Sequence, residues 1–450
     1  MKKVITYGSF DLFHEGHYKL LKRAKELGDY LIVGITTEQY DEYRGKLNIV
    51  DSLLNRIEHV KQTGLADEII IEDHVGQKIE DILKYNIDIF TVGSDWTGKF
   101  DYIKEYCDVV YLERTKGISS TILRENKYNI IKLGIIGCGR IAKRFVSEVK
   151  YVSGVNIESV YNPHIISAEI FAAEHELNAF TDNINSFYDS IDAVYIASPH
   201  NTHYDYIKSS LNNEKHVLCE KPMVLKKAEA EELFELASSK NLILIEAIKT
   251  AYTPGFLKLI GISKSGEIGT IKDVEACFTK LASGNIRELR KEESGGSFTE
   301  LASYPLLAII KLLGTDYNKV RFDTFVDKTG IDLYTKAYIY YKNCIATAKV
   351  GLGVKSEGHL IISGTNGYLL ADAPWWKTQS FEIKYEDMNQ NEKFFTKYLG
   401  EGLRYEISNF ISLINGNKGK EFKLTPKESI ALAELMENFL NEVNVHKIIL

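Results

Sequence analysis

The sequence is poor in cysteine and proline, with five and seven residues among 450. The cysteines form no C-x-x-C pair, which excludes a disulfide framework and the usual zinc sites and suits a reducing compartment. No apolar run approaches the ~20 residues of a membrane span, and no signal peptide precedes the first glycine turn. We therefore expect a soluble cytoplasmic protein with no membrane partner.

An excess of positive charge is also missing, since 55 Lys and Arg face 62 Asp and Glu, a formal net charge of −7. Nucleic-acid binding needs a dominant basic surface that displaces counterions from phosphates. We therefore expect small-molecule partners and no nucleic acid. The sequence has no internal repeat and no low-complexity tract, and its length suits about three domains of roughly 150 residues.

Hydrophobic periodicity predicts three domains. Strand and helix alternate over residues 1–127, which predicts a doubly wound α/β domain, and a second α/β alternation covers 131–251. Over 252–450, longer alternating strands predict an α+β domain with an open, mostly antiparallel sheet. The connector 125–129 is too short for a flexible linker. Helices are expected over 99–106 and 427–443, and from about Ser119.

The first motif that carries chemistry is H-E-G-H at residues 14–17, which follows a strand and a glycine turn and opens a helix. His14 and His17 lie three residues apart on one helical face, at the end where free N–H groups and the helix dipole attract anions. Gly16 would let a phosphate approach the backbone. Short motifs also arise by chance, and the alternative is a pair of ordinary surface histidines.

Three motifs at matched spacing carry a resemblance. They are YGSFDLFHEGH from Tyr7, GSDW at 93–96 and RTKGISS at 114–120. Together they resemble the glycerol-3-phosphate cytidylyltransferase branch of the nucleotidyltransferase family, over residues 1 to about 125. The resemblance implies CTP as a substrate, Mg²⁺, and a small polyol phosphate as the acceptor. Serine replaces the usual threonine at Ser9 and Ser120, and both changes keep the hydroxyl.

The same resemblance implies roles for individual residues. His14 and His17 would bind the CTP phosphates and stabilise charge at the α-phosphate, and Lys46 and Arg114 would add catalytic positive charge. For a single basic residue such as Lys46 or Arg56, the alternative is a solvated surface charge. No metal ligand is certain, although Asp11 could orient substrate or metal. The implied nucleotide-binding residues are Gly8, Ser9, Phe10, Asp11, Arg56, Asp95, Ser119 and Ser120.

A second glycine turn follows the strand that begins near Ile131. In G-C-G-R-I-A, Gly137 permits the tight turn, Gly139 lets the backbone reach a pyrophosphate, and Ala142 allows close helix packing. This is the fingerprint of a Rossmann dinucleotide-binding domain in its expected strand–turn–helix context. A lone fingerprint is weak, and the alternative is a purely structural turn.

Further motifs decide between these interpretations. S-P-H-N-T-H at 198–203, E-K-P at 220–222 and G-G-S at 295–297 resemble the glucose–fructose oxidoreductase and inositol dehydrogenase family, over 131–450. The resemblance implies that Lys221 is catalytic beside the nicotinamide and that Tyr304 donates a proton. Glu300 is a further catalytic candidate or a buried, paired carboxylate. The implied cofactor contacts are Gly137, Gly139, Arg140, Ile141, Asn162, Ser198, His200, His203 and Glu220.

The choice of cofactor is weakly specified. The second strand of this domain ends at Tyr161 and Asn162, with no acidic residue for the ribose 2′-OH and no adjacent arginine for a 2′-phosphate. Asn162 could serve either cofactor and Arg140 could reach a phosphate, which favours NADP over NAD. Trp375 and Trp376 could line a sugar-binding face, or belong to the core or to a subunit interface.

These patterns predict a bifunctional enzyme. It would reduce a small sugar phosphate to an alditol phosphate and transfer a cytidylyl group to it, giving a CDP-polyol for a teichoic-acid-like or capsular polymer. Two alternatives stay open: the oxidoreductase acts on the CDP-linked product or an unrelated sugar, or it is a non-catalytic scaffold. Both resembled families commonly form oligomers, so a homo-dimer or homo-tetramer is expected.

Overall fold

The computed structural model describes residues 1–47, 49, 51–113, 130–284, 286–416 and 423–450. In these residues the chain is an α/β protein with three sheets of five, six and nine strands. It divides into two compact units, one made of residues 1–133 and 146–182 and the other of 134–145 and 183–450. None of the helices in the described ranges has the length and apolar character of a membrane span.

The first sheet is entirely parallel, in the order β3-β2-β1-β4-β5. Its inner strands are near-continuous apolar runs because helices cover both faces of a parallel sheet. Strand β2, with the sequence YLIVGIT, shows this, since all of its residues but the first are buried. The elements are β1 (Lys3–Gly8), α1 (Glu15–Glu26), β2 (Tyr30–Thr36), α2 (Glu38–Tyr43), α3 (Leu53–Gln62), β3 (Glu68–Glu72), α4 (Gln77–Tyr85), β4 (Ile89–Gly93) and β5 (Asp108–Leu112).

The strand order reverses at β1, which lies between β2 and β4. In open parallel sheets, ligands bind outside the carboxyl ends of the strands at such a switch point. The helix predicted over 99–106 is wrong: this part of the chain forms two short 3₁₀ turns, Ser94–Trp96 and Asp101–Glu105. Gly98 interrupts them with a φ of +79°, and Phe100 donates its N–H to the Tyr111 hydroxyl at 3.2 Å. The helix predicted near Ser119 lies outside the described residues.

The second sheet has the order β11-β10-β9-β6-β7-β8. Its switch point lies between β6 and β9, so the glycine turn after β6 and the 198–203 motif after β9 lie at the same edge. The elements are β6 (Ile131–Ile136), α5 (Arg140–Val149), β7 (Val155–Tyr161), α6 (Ile165–His175), β8 (Ala179–Thr181), α7 (Ile184–Asp189), β9 (Ala193–Ile196), α8 (His203–Asn212), β10 (His216–Glu220), α9 (Lys227–Ser239) and β11 (Leu244–Ala247).

The third sheet has nine strands in the order β19-β18-β17-β16-β12-β15-β14-β13-β20. Alternating burial along β13 shows that one face is covered, and Phe298, Phe322 and Phe439 pack together there, with ring centroids 4.4 to 5.4 Å apart. The elements are α10 (Pro254–Lys264), β12 (Ile271–Thr279), α11 (Ser297–Leu301), α12 (Ser303–Leu313), β13 (Lys319–Val326), β14 (Asp332–Tyr340), β15 (Ile345–Gly351), β16 (Leu360–Gly364), β17 (Tyr368–Ala371), β18 (Ser380–Lys384), β19 (Glu392–Phe395), α13 (Leu403–Ile414), α14 (Pro426–Leu440) and β20 (Val445–Ile449).

The pairing in this sheet is mostly antiparallel, as predicted, and the exceptions are β12 with β15 and β13 with β20, which run parallel. The helix predicted over 427–443 ends at Leu440. Glu442 and Asn444 then adopt left-handed φ values of 59° and 55°, which a helix cannot continue through. The chain therefore turns and adds β20 to the edge of the sheet.

Candidate active sites

The turn after β1 has a strained backbone. Phe10 and Leu12 have φ values of 51° and 46°, a region that non-glycine residues rarely occupy and that costs free energy. Two carboxylates hold this conformation: Asp11 Oδ1 accepts the N–H of Asp51 at 2.8 Å, and Asp51 Oδ2 accepts the N–H of Leu12 at 3.0 Å. Sequence reasoning missed Asp51, which no motif marks.

His14 and His17 lie together at the start of α1. His14 is the N-cap residue, and its Nδ1 accepts the N–H of Gly16 at 3.0 Å, so the neutral ring carries its proton on Nε2. The two imidazole rings stack with centroids 3.8 Å apart. A Cβ on Gly16 would lie 2.8 Å from the His14 ring, so the position of this imidazole already requires a glycine there.

Arg56 is fully buried beneath the same turn. Its guanidinium donates to the carbonyl oxygens of Ser9 and Thr36 at 2.9 and 2.8 Å, and it lies 3.4 Å from a carboxylate oxygen of Asp41. It therefore ties the ends of β1 and β2 together. The alternative of a solvated surface charge does not hold, and the contacts that Arg56 makes support the Ser9 backbone.

Lys46 reaches the turn from the loop after α2. Its Nζ donates to the Ser9 hydroxyl. The residue as a whole is only partly covered, but burial of the ammonium lowers the pKa of Lys46, against the opposing charges of Asp41 and Asp11. On the other side of the turn, a Cβ on Gly8 would lie 3.0 Å from the Phe10 ring. Lys46 thus places its Nζ beside Ser9, in the turn that precedes the helix carrying the two histidines.

Asp95 lies in the 3₁₀ turn that follows β4, at the switch point of the first sheet. Its Oδ1 lies 3.2 Å from the Lys150 ammonium. Arg114, Ser119 and Ser120 lie outside the described residues. Within the described ranges, no group of three or more His, Cys, Asp or Glu side chains could hold a metal ion.

The second glycine turn is tight on one side and open on the other. Gly137 has a φ of +102°, and a Cβ there would lie 2.7 Å from the carbonyl oxygen of Ala197. A Cβ on Gly139 would have no atom within 4 Å, which leaves the space that the approach of a pyrophosphate requires. Arg140 and Ile141 open α5, and the Arg140 side chain, 71% exposed, pairs with Glu288 at 3.1 Å. The turn fits a dinucleotide cofactor.

Lys221 follows β10, and its Nζ donates to the backbone carbonyl oxygen of Glu300 at 2.8 Å. The same ammonium lies 5.9 Å from the centroid of the Tyr304 ring. Burial, together with the nearby carboxylates of Glu220 and Glu406, raises the pKa of Tyr304, so its hydroxyl keeps a proton to donate. The structure thus brings the two predicted catalytic groups close to one another.

The Glu300 carboxylate is buried and lies between the Arg287 guanidinium and the His200 ring. Arg287 lies 2.8 Å from Oε1, and His200 Nδ1 lies 3.7 Å from the same oxygen. Burial, and then the charges of Lys221, His203 and Arg287, lower the pKa of His200 well below its usual range, so this ring is neutral. Sequence reasoning missed Arg287, because a lone arginine in a polar loop carries no motif.

His203 connects two of the predicted motifs. It is fully buried, and its ring nitrogens lie 2.9 Å from the carbonyl oxygens of Pro222 and Ser198. Burial lowers its pKa, although both carbonyls favour the protonated ring. The Ser198 hydroxyl in turn accepts a hydrogen bond from Thr202 at 2.7 Å. His203 therefore fixes the position of the loop after β9 relative to the Lys221 loop.

Glu220 and Asn162, both predicted cofactor contacts, have partners within the fold. Glu220 accepts the Tyr195 hydroxyl at 2.6 Å, and burial raises the pKa of this carboxyl. Asn162 follows β7, and its side-chain oxygen accepts the N–H of His164 at 2.9 Å. Asn162 remains the candidate for the adenosine ribose from its place after the second strand of the domain.

A row of aromatic rings leads away from Tyr304. Phe278 lies 5.1 Å from the Tyr304 centroid and stacks on Trp376 at 3.8 Å. Trp375 is fully buried, and its Nε1 donates to the Cys277 carbonyl at 2.8 Å. The structure therefore assigns the two tryptophans differently: Trp375 belongs to the core, and Trp376 belongs to the aromatic row beside Tyr304.

Comparison with protein families places the two sites in different families. The cytidylyltransferase-like family matches residues 5–126. The oxidoreductase family with an NAD-binding Rossmann fold matches 131–248, and the GFO/IDH/MocA C-terminal domain matches 256–370.

Individual relatives agree with these matches. A glycerol-3-phosphate cytidylyltransferase from Bacillus spizizenii is 52% identical over 126 residues, which are 28% of this chain and 97% of that protein. The NADP(+)-dependent scyllo-inositol 2-dehydrogenase of Bacillus subtilis is 27% identical over 326 residues, 70% of this chain and 98% of that protein. In fold, the chain is similar to the 3-ketoreductase KijD10 of Actinomadura kijaniata with NADP and TDP-benzene, with a TM-score of 0.64, 20% identity, and coverage of 72% of this chain and 100% of that one.

Proposed function

Because this chain belongs to the cytidylyltransferase-like family in its N-terminal part and to the GFO/IDH/MocA oxidoreductase family in the rest, we propose that it catalyses two consecutive reactions. The oxidoreductase part reduces a small ketose or aldose phosphate to an alditol phosphate. The N-terminal part joins that alditol phosphate to CMP from CTP, giving a CDP-polyol and pyrophosphate. The three domains that carry these steps are 1–127, 131–251 and 252–450.

In the transfer step, a phosphate oxygen of the acceptor attacks the α-phosphate of CTP, and the bond to the pyrophosphate breaks. Such reactions depend on positioning and on positive charge around the phosphates. His14 and His17 hold the α-phosphate at the N-terminus of α1, where the helix dipole adds to their effect. Lys46, Arg114 and Ser119 supply further phosphate contacts. Magnesium would be held mainly by the triphosphate, with Asp11 as the nearest protein carboxylate.

In the reduction step, a nicotinamide cofactor held at the turn of Gly137 and Gly139 would be the source of the hydride for the carbonyl carbon. Lys221 donates a hydrogen bond to the carbonyl oxygen and so favours the negative charge that develops there. Tyr304 gives its proton to that oxygen, which completes the alcohol. The open backbone at Gly139 accommodates the cofactor pyrophosphate. Arg140, which could reach a phosphate, and the NADP(+)-dependent relative both favour NADP over NAD.

The observation that carries this proposal is the pairing of two complementary activities in one chain. The N-terminal relatives act, by their names, on glycerol 3-phosphate, which is an alditol phosphate. A carbonyl reductase of the GFO/IDH/MocA kind can produce a compound of this class. Fusion then places the maker of the intermediate close to its consumer and raises its local concentration. We infer that the CDP-polyol is a precursor of a surface polymer of the teichoic-acid or capsular kind. We also infer that the enzyme is cytoplasmic and forms a homo-oligomer.

A second candidate order has support of its own. Two structures similar in fold are described as acting on or binding nucleotide-linked compounds, KijD10 with TDP-benzene and a UDP-N-acetylglucosamine 3-dehydrogenase from Acidithiobacillus ferrooxidans. The oxidoreductase part would then reduce a CDP-linked carbonyl compound after transfer. A non-catalytic scaffold is disfavoured by the close approach of Lys221 to Tyr304 and by the open backbone at Gly139.

Incubation without CTP separates the two orders. The full chain is given NADPH and a panel of three- to five-carbon ketose and aldose phosphates, and the products are identified by mass spectrometry. We expect consumption of NADPH and accumulation of an alditol phosphate. Oxidation of NADPH only after CTP has been added, with a CDP-linked carbonyl compound as the intermediate, would reverse the order.

A further inference from the structure

A short turn in the oxidoreductase part contacts the loop that carries Lys46. We call residues 150–153, which follow α5, the 150–153 turn. The N–H of Leu47 donates to the Tyr151 carbonyl at 2.7 Å, and the N–H of Ser153 donates to the Leu47 carbonyl at 3.0 Å. Leu47 thus forms an isolated parallel bridge with Val152. Both backbone hydrogen-bonding groups of the residue after Lys46 are therefore satisfied by this turn.

The same turn contacts the loop that carries Asp95. Lys150 Nζ lies 3.2 Å from Asp95 Oδ1, and the Tyr151 ring meets the Trp96 ring edge-on, with centroids 6.1 Å apart. Lys99 Nζ donates to the Tyr151 hydroxyl at 3.3 Å and lies 5.0 Å from the Trp96 centroid. Two loops implicated in nucleotide binding, one after β4 and one after α2, thus have a common support.

The strengths of these contacts differ. Lys150 and Asp95 are 41% and 36% exposed, and an ion pair at such exposure contributes little. The two backbone hydrogen bonds are short and leave no donor or acceptor of Leu47 unsatisfied, so their loss has the larger effect. On the other side of Lys46, its N–H donates to the Asp41 carbonyl at 2.8 Å. The Lys46 backbone is therefore fixed from both sides, and only one of those sides belongs to the transferase fold.

Related transferases function without such a turn. The Bacillus spizizenii protein is matched over 97% of its length by 126 residues, so it has no room for an oxidoreductase domain. In this chain the loop after α2 is instead held by a segment that lies within the range matched by the oxidoreductase family, 131–248.

We propose that the 150–153 turn is a positioning element of the cytidylyltransferase site, and that it acts by holding Lys46 beside Ser9. This inference rests on the proposed transferase activity. The connection between α5 and β7 of the oxidoreductase fold then also supports the transferase site. The two halves are then structurally interdependent, beyond any advantage of proximity.

Ser153→Pro in the full chain tests this directly, because proline removes the N–H that bonds to Leu47, and Ser153→Ala is the matched control that keeps it. Pyrophosphate release is measured with CTP and glycerol 3-phosphate or the alditol phosphates of the panel. We expect kcat to fall roughly tenfold in Ser153→Pro, about the effect of losing one hydrogen bond that is fully used. Ser153→Ala should stay close to wild type, and NADPH binding should persist in both variants as evidence that the α5–β7 region is folded.

A double-mutant cycle with Lys46→Ala shows whether the effect passes through Lys46. Once Lys46 is removed, Ser153→Pro should cost little more. If the double variant lost kcat by the product of the two single effects, the proposal would be overturned. A Ser153→Pro chain with wild-type kcat would overturn it as well. If Ser153→Pro failed to bind NADPH, Leu47→Pro would replace it, because it removes the N–H that bonds to the Tyr151 carbonyl. Leu47→Ala is then the control, and the same cycle applies. A wild-type chain that releases no pyrophosphate with any acceptor would instead refute the proposed function, and the inference with it.

Discussion

The two sites of this chain are built in different ways. In the transferase site, the turn of residues 9–12 and the start of α1 are contiguous in the sequence, and hydrogen bonds from their backbone N–H groups to the side chains of Asp51 and His14 hold the conformation. In the oxidoreductase site, the Lys221 ammonium donates to the backbone carbonyl oxygen of Glu300, 79 positions away, and the buried Glu300 carboxylate is paired with Arg287. The catalytic histidines of the first site thus follow its turn directly in the sequence, whereas the second site is an assembly of charged side chains from distant elements.

This difference predicts how each site responds to mutation. Replacing a histidine of the transferase site should lower activity, with an effect on folding no larger than the loss of one helix cap, because the bonds to Asp11 and Asp51 remain. Removing one member of a buried charge pair leaves the other uncompensated, which costs stability as well as activity. The following predictions test this contrast.

Lys221→Ala should give the largest effect. Hydride transfer should fall on the order of a thousandfold, because the variant loses both the hydrogen bond to the carbonyl oxygen and the charge near it. Cofactor binding, followed by NADPH fluorescence, should persist. Gly139→Val should do the reverse, since its side chain would occupy the open space beside the backbone. Equal loss of cofactor in both variants would contradict the division of roles between these residues.

His14→Ala and His17→Ala should each lower pyrophosphate release on the order of a hundredfold, the usual effect of losing one donor to developing charge. Reduction of the carbonyl substrate should change little, and the midpoint of unfolding should fall slightly in His14→Ala, because His14 is the N-cap residue of α1. His74→Ala is the matched control, because His74 is an exposed histidine paired with Asp73 and Glu80. Near wild-type pyrophosphate release in His14→Ala or His17→Ala would contradict the assigned roles.

Arg287→Ala should affect stability. It leaves the buried Glu300 carboxylate without its closest cation, and because Arg287 is 31% exposed, we expect a loss on the order of 2 kcal/mol. Adding Glu300→Gln to this variant should recover much of the loss, since the uncompensated charge is gone. Urea unfolding of the single and double variants measures both the loss of stability and its recovery. A double variant less stable than Arg287→Ala would show that charge pairing is not the cause.

A smaller effect concerns pH. Burial raises the pKa of Glu246 from 4.5 to about 7, so the folded state holds this proton more tightly than the unfolded state. Its contribution to stability is therefore fully present below pH 4.5 and is lost as pH rises through 7, by roughly 1–3 kcal/mol. Glu246→Gln should flatten the unfolding free energy over this interval. An unchanged pH dependence in the variant would assign the slope to other groups.

Local periodicity and contiguous motifs made much of this architecture predictable. The apolar runs predict the strands of both parallel sheets. Because the carboxyl ends of parallel strands meet at one edge, the positions of the motifs at 14–17 and 137–139 could be predicted as well. Asp51 and Arg287 could not be found this way, since their partners lie 40 and 13 positions away and neither belongs to a motif. The turn around Glu442 and the strand after it were missed for a related reason: left-handed backbone at Glu and Asn has no strong sequence signal.

Arg56 shows the opposite limit. The family resemblance implied that it contacts phosphate, whereas its guanidinium is fully buried against the carbonyl oxygens of Ser9 and Thr36. A sequence motif records that a residue matters at a site and does not distinguish contact with substrate from support of the backbone beneath it.

The most direct test of two consecutive reactions supplies CTP, NADPH and only the phosphorylated carbonyl compound, and compares the wild-type chain with Lys221→Ala by mass spectrometry. We predict that the wild type forms the CDP-polyol and that Lys221→Ala forms no CDP-linked product until ready-made alditol phosphate is added, which restores it. Conversion of the carbonyl phosphate to a CDP-linked carbonyl compound by Lys221→Ala, at the rate at which the wild type forms product, would contradict the account.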